Sequence, residues 1–220
     1  MSPGVVNKNV LKSSLSGLHR LYRLRNMNNS RIILASASPR RLEILNAHGI
    51  EPVVLPQDTD EHLPDGIGMT EAVEELASQK AKACYDYVKD NPLYDGYLIV
   101  GADTIVWKDE IMGKPADAYD AFRMLDKIRG TFHYVVTGIC LIDKSSGSVN
   151  VLNDVTTVHC VDYSDEDINA YISQAEPYDK AGSYAIQGYF GRYIDHIDGD
   201  YENVVGLPFY RIEAALKPYI

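Results

Sequence analysis

No stretch of about 18 consecutive apolar residues occurs in the 220-residue chain, which excludes a membrane-spanning helix of ordinary length. Basic charge is scarce: 21 Lys and Arg stand against 31 Asp and Glu. The net charge of -10 excludes a general nucleic-acid binder, because neutralising a phosphate backbone needs a basic surface. Any phosphate site must therefore be local. Cysteine is rare, and Cys84, Cys140 and Cys160 are odd in number, widely spaced and free of a C-x-x-C pattern. They read as reduced core thiols of an intracellular protein. The six histidines form no H-x-H or H-E-x-x-H motif and no cluster with cysteine, so the sequence gives no indication of a zinc site. The G-x-x-x-x-G-K-[ST] pattern of a P-loop is missing, as are internal repeats and low-complexity segments.

The chain is 45% apolar, ordinary for one large domain or two lobes sharing a sheet. Its first 31 residues differ from the rest. They carry Lys8, Lys12, Arg20, Arg23, Arg25 and Arg31 with no acidic residue, and Leu11, Leu15, Leu18 and Tyr22 recur at helical spacing. This composition is that of an organelle transit peptide or of a disordered leader.

The chain is organised around Leu98-Ile99-Val100-Gly101-Ala102-Asp103-Thr104. Three β-favouring residues followed by small ones predict a buried strand, with Gly101 and Ala102 leaving room for a ligand or another backbone. Asp103 is expected at the strand's end. There a carboxylate holds a divalent cation, takes a proton from water, or merely closes a turn.

Upstream, Arg31 to Ala35 predicts a short strand running into Ser36-Ala37-Ser38-Pro39-Arg40-Arg41. Ser38 is placed to cap a helix that starts at Pro39 and runs through Leu42, Ile44 and Leu45 to Gly49. Arg40 and Arg41 fall in its first turn, where the macrodipole disfavours cations unless an anion sits there. With the Ser36 and Ser38 hydroxyls and the free N-H groups they make a phosphate cradle; two solvated arginines are the alternative. A second strand, Pro52 to Leu55, leads to Asp58-Thr59-Asp60-Glu61, either a solvated turn or a set of hard-cation ligands. Thr70 is expected to cap a long helix with Val73, Leu76, Ala77, Cys84 and Val88 on its apolar stripe. Lys80 falls on that stripe and must either find an anion or snorkel to solvent.

Downstream come a hairpin through Lys108-Asp109-Glu110, the turn Gly113-Lys114-Pro115, and a helix from Asp117 to Gly130 with Ala118, Phe122, Leu125 and Ile128 on one face. Two β-rich stretches follow, Phe132 to Asp143 and Ser148 to Tyr163, in which His133 is expected to be a hydrogen-bonded strand histidine. Ser164 to Asp167 is a capping box. The stretch between Gly182 and Gly188 reads as a short strand, with the Gln187 amide facing either solvent or a base edge. A strand from Ile194 to Asp200, a turn at Asn203 to Pro208 and an amphipathic helix from Phe209 to Leu216 close the chain.

Five segments, in order over about residues 31 to 216, together resemble the Maf family of nucleoside triphosphate pyrophosphatases. They are Ser36-Ala37-Ser38-Pro39-Arg40-Arg41, Gly101-Ala102-Asp103-Thr104, Gly113-Lys114-Pro115, Asp179-Lys180-Ala181-Gly182 with Ile186-Gln187-Gly188, and Gly199-Asp200-Tyr201 through Val205-Gly206-Leu207-Pro208. The resemblance implies an α/β fold: a mixed twisted central sheet with flanking helices, in two lobes around a nucleotide cleft, similar to the inosine triphosphate pyrophosphatases. Residues 31–220 would form this domain and residues 1–30 a basic extension. The implied activity is metal-dependent hydrolysis of dTTP, UTP or modified pyrimidine nucleotides to a monophosphate and pyrophosphate.

By the same resemblance Asp103 is the general base and shares with Glu61 a divalent cation, magnesium first and manganese second. Lys80 and Lys114 contact phosphate, with Ser38 beside them. Arg40, Thr104 and Gln187 match positions that set base choice. The expected partner is the nucleoside triphosphate, with neither a nucleic-acid polymer nor a membrane, and a homodimer is expected from the family's habit. The expected compartment is the cytoplasm, or the mitochondrion if the extension is a transit peptide. Two other classes stay open: a nucleotide-binding regulator of septum formation or cell division with little turnover, and a phosphatase releasing orthophosphate. Against the latter, the sequence has no D-x-D-x-[TV] nucleophile motif.

Overall fold

The computed structural model describes residues 30–64 and 66–220. The basic extension, with its helical spacing of leucines and the transit-peptide reading, lies outside them up to residue 29. A short strand β1 (Ile32–Leu34) runs parallel to β2 (Val53–Val54) on one side and to β3 (Leu98–Trp107) on the other. Four more strands join antiparallel: β4 (Ile111–Met112) and β5 (Phe132–Asp143) beside β3, then β6 (Val149–Cys160) and β7 (Ile194–Asp198). Among the described residues they form one mixed sheet in the order β2-β1-β3-β5-β6-β7, with β4 on β3 outside that path.

Alternation along the strands divides the core. Ile32, Leu34, Val100 and Ala102 point to one face, where α1 (Pro39–Ala47), α5 (Tyr201–Val205) and α6 (Phe209–Leu216) cover them through Ile44, Leu45, Val205 and Ile212. Ile33 and Ile99 point to the other face, against Ala77, Ala81, Cys84 and Val88 of α2 (Met69–Val88). A separate cluster joins Val106, Val135 and Val158 to Leu125 and Ile128 of α3 (Ala118–Ile128) and to Ile168 and Tyr171 of α4 (Asp165–Ile172).

Asp103 is not at a strand end. It lies in the middle of β3, opposite Gly138, because β5 continues beside β3 from Leu98 to Trp107 and supplies a ladder partner throughout. On its other edge β3 is paired to β1 only through Val100 and to β4 only from Val106. Between those points the edge is open.

Gly101 admits a backbone rather than a ligand. A methyl group there would stand 2.5 Å from the Ala77 carbonyl oxygen, and one on Gly138 would run into the Val73 carbonyl. Two glycines on neighbouring strands thus make a dent in which α2 lies. Gly138→Ala is expected to cost about 1–3 kcal/mol by overpacking, well beyond the roughly 0.4–1 kcal/mol that alanine returns through the unfolded chain. Thermal unfolding would show it as a Tm lower by about 5 °C.

Several local expectations shift. The N-cap of α2 is Gly68, two residues before the expected Thr70, whose hydroxyl bonds Glu71 instead. Ser38 does cap α1 by position, but its side chain makes no capping bond. Ala118 is exposed, and Ala121 and Met124 take its place on the buried face of α3. No strand forms between Gly182 and Gly188: Tyr184 is drawn into the core against Phe190 and His133, away from any ladder partner. The expected turn at Asn203 instead belongs to the short helix α5, capped by the Asp200 carboxylate on the Asn203 N-H.

His133 is fully buried with its Nε2 2.6 Å from the Tyr184 hydroxyl, as a hydrogen-bonded strand histidine should be. Burial, reinforced by the charge on Lys108, lowers its pKa to about 3. The unfolded chain takes up a proton near pH 6.5 that the folded one refuses. Stability is therefore full above about pH 6.5 and falls by several kcal/mol as pH drops toward 3. The unfolding midpoint should fall through this window in the wild type and less steeply in His133→Gln. The three cysteines are free and buried, and burial pushes the Cys84 thiol up to about 11 and the Cys160 thiol up to about 12, so they stay protonated and inert.

Candidate active site

The chain leaves β1 through α1 on one face toward β2, and leaves β2 through α2 on the opposite face toward β3. Connections that diverge in this way open a crevice beyond the carboxyl end of the strand between them. The crevice here is a cleft of about 960 Å³ along the open edge of β3. Its walls are the β1–α1 turn with Ser36, Ser38, Arg40 and Arg41, the loop with Glu61, Lys80 of α2, and Asp103 and Thr104 of β3. Lys114, in the turn after β4, and Gln187, in the segment before Gly188, line it as well. Every expected site residue lines this one cleft.

Lys80 finds its anion. Its Nζ pairs with Asp103 Oδ1 and lies 2.8 Å from Glu61 Oε1, so one ammonium bridges both carboxylates. The dent at Gly101 and Gly138 brings α2 near enough for this contact. Side-chain exposure falls from 55% at Glu61 to 17% at Lys80 and 14% at Asp103, which places the ion pair at the floor of the cleft and leaves Glu61 at its mouth. Two carboxylates against one ammonium leave a net negative charge with oxygen-only donors. That is the donor chemistry a magnesium-class ion accepts.

The two arginines expected to act together part ways. Arg41 turns into the protein and donates Nε to the Gly206 carbonyl at 2.8 Å, Nη1 to Ser36 Oγ at 2.9 Å and Nη2 to Thr104 Oγ1 at 3.0 Å. Burial lowers its pKa, opposed chiefly by the Asp103 charge. Thr104 is in turn bonded to Thr137 Oγ1, which donates to the Asn203 carbonyl, and Asn203 donates to Val135 and Thr156. This buried polar chain ties the β1–α1 turn to the middle of the sheet and to α5. Arg40 has no hydrogen bond or ion pair among the described residues, and neither do Lys114 and Gln187; these three polar groups face the cleft unpartnered.

Sequence reasoning gave no role to Lys180 or to the supports Thr137 and Asn203. Lys180 also lines the cleft, paired at 2.5 Å with Asp179, and the Asp179-Lys180-Ala181-Gly182 motif was its only local signal. Thr137 and Asn203 had none, since nothing in a strand threonine or a turn asparagine announces a partner on another element.

Residues 31–219 match the family model described as Maf-like protein. The chain is 42% identical over 188 residues to a dTTP/UTP pyrophosphatase of Caldicellulosiruptor bescii, covering 85% of this chain and 94% of that protein. It is 46% identical over 189 residues to a dTTP/UTP pyrophosphatase of Geotalea uraniireducens, with 86% and 94% covered. Among solved structures, a nucleoside-triphosphatase / dITP/XTP pyrophosphatase from Mycobacterium abscessus is similar with a TM-score of 0.37 and 19% identity, over 59% of this chain and 73% of that one. On the extent of the family match and the identity to these relatives, the chain belongs to the Maf-like family.

Proposed function

We propose that the protein hydrolyses nucleoside triphosphates to a monophosphate and pyrophosphate, with dTTP and UTP, the nucleotides for which its relatives are named, as substrates. The observation that carries the proposal is the opposition across the cleft: a Lys80-bridged carboxylate pair on one side, and Arg40, Lys114 and Lys180 around the rest. In a chain of net charge -10, three cations gathered at one cleft, Arg40 and Lys114 among them without an ion-pair partner among the described residues, fit a polyanion. The cleft's size is also within the range of small-molecule sites.

In this reading Asp103 accepts the proton of a water whose oxygen attacks the α-phosphorus, and the bond to the α,β-bridging oxygen breaks in line. The departing pyrophosphate carries negative charge toward the cationic side chains, which are already in place and need no rearrangement. Glu61 and Asp103 are the residues that would hold a divalent cation, magnesium or else manganese, which would supply neutralising charge to the phosphate oxygens. Arg41 acts from behind: its three bonds fix Ser36 and Thr104, so the turn presents Arg40 and Ser38 to the ligand. Gln187, with a free amide, is the group that would read the base edge.

The test is a panel of nucleoside triphosphates with magnesium in which pyrophosphate and orthophosphate are measured separately. Pyrophosphate from dTTP and UTP is the expected result. Binding without turnover would favour a regulatory nucleotide sensor, and orthophosphate alone a phosphatase.

A further inference from the structure

The register of β6 and β7 sets His159 directly opposite His196, and Asp198, two residues further along β7, shares the face of His196. No local motif announces this grouping. His159 Nε2 lies 3.1 Å from Asp198 Oδ2, and His196 Nε2 lies 3.8 Å from the same oxygen. The ligand atoms of all three lie within 4.8 Å of one another. A tetrahedral zinc ion with bonds of about 2.0–2.1 Å holds its ligands roughly 3.4 Å apart. The 3.1 and 3.8 Å spacings bracket that value.

The surroundings prepare the imidazoles. His196 Nδ1 is 2.8 Å from Asp195 Oδ2, the carboxylate support that leaves Nε2 free with its lone pair outward. Phe132 packs on His159 from the neighbouring strand, its ring centre 5.8 Å away. His196 and Asp198 are exposed and His159 half-buried on the edge strand and its neighbour, so an ion arrives without any opening of the fold. None of the three lines the cleft.

We propose that His159, His196 and Asp198 form a second metal site, for a divalent ion of the zinc class, distinct from the oxygen-only pair in the cleft. Two imidazoles and one carboxylate favour zinc, nickel or copper over magnesium. Three protein ligands leave the fourth position to water. The two rings now stack nearly parallel, at 4.1 Å and 11°. Parallel rings cannot both carry one ion in their planes, so loading splays them.

Zinc chloride titrated into the full chain under excess magnesium, which occupies hard-oxygen sites, tests the proposal. Calorimetry should count one more zinc per chain in the wild type than in His159→Gln/His196→Gln, and Asp198→Asn should bind that zinc at least tenfold more weakly. Asp103→Asn should keep the full count. The imidazole resonances of both histidines should shift on zinc addition and lose their mutual ring-current effect. Superimposable isotherms for wild type and the double variant, or loss of the extra zinc in Asp103→Asn instead, would overturn the site. Two of the side chains are exposed and the third is half-buried, so the variants are expected to fold, as circular dichroism would check.

Discussion

Asp103→Asn is expected to lower kcat for pyrophosphate release by about 10²–10⁴, the usual contribution of a positioned general base. The amide keeps the volume of the carboxylate, and Lys80 keeps Glu61 as its partner, so Tm should stay within a few degrees of wild type. Raising magnesium separates two roles. If Asp103 served only to hold the cation, saturating magnesium would restore turnover in the variant. Because it is also assigned to accept the water's proton, the loss is expected to persist. Hydrolysis near the wild-type rate at any magnesium concentration would remove Asp103 from the base role.

Lys80→Met should be nearly as damaging, with a fall of roughly 10² in kcat/KM. Without the ammonium, two carboxylates face each other and the incoming phosphates with nothing between them. Methionine matches the length of the lysine stem and suits the apolar stripe of Leu76 and Cys84, but it strips the shielded Asp103 of its counter-ion, so Tm should fall. A variant that is inactive while still folded at the assay temperature would therefore locate the effect in charge rather than in loss of the fold. Lys80→Arg keeps the charge but replaces a compact ammonium with a planar fork, and should recover only part of the activity. A Lys80→Met protein with ordinary KM and kcat would show that the bridge serves folding alone.

What the sequence made legible was what depends on neighbours a few residues apart. The closing helix Phe209–Leu216 appears with the expected bounds, because its apolar spacing is local. The inward Lys80 was visible as a charge on a stripe. What it did with that position was left open, since its partner lies on another element. Asp103 was placed at a strand end because Gly101 and Ala102 break the apolar run. Only the presence of β5 alongside shows that the strand goes on. Arg41 and Arg40 look alike in sequence; they separate because the Gly206 carbonyl, 165 residues downstream, captures one of them. His159 and His196 meet through strand register alone. Local chemistry and the family resemblance together named the candidates, and long-range pairing set which of them keep free polar groups at the cleft.

The dent formed by Gly101 and Gly138 also bears on how the protein tolerates change. The separation between α2 and the sheet is set there by main chain resting on main chain. Trimming Leu76 or Val73 should leave a hole under the helix and shorten the life of the folded molecule, yet the helix axis cannot sink, because its carbonyls already touch the sheet. The reach from Lys80 to Asp103 is thereby insulated from drift in the hydrophobic core. Apolar residues beneath α2 should therefore be exchangeable without altering the Lys80–Asp103 reach, so long as the two glycines stay.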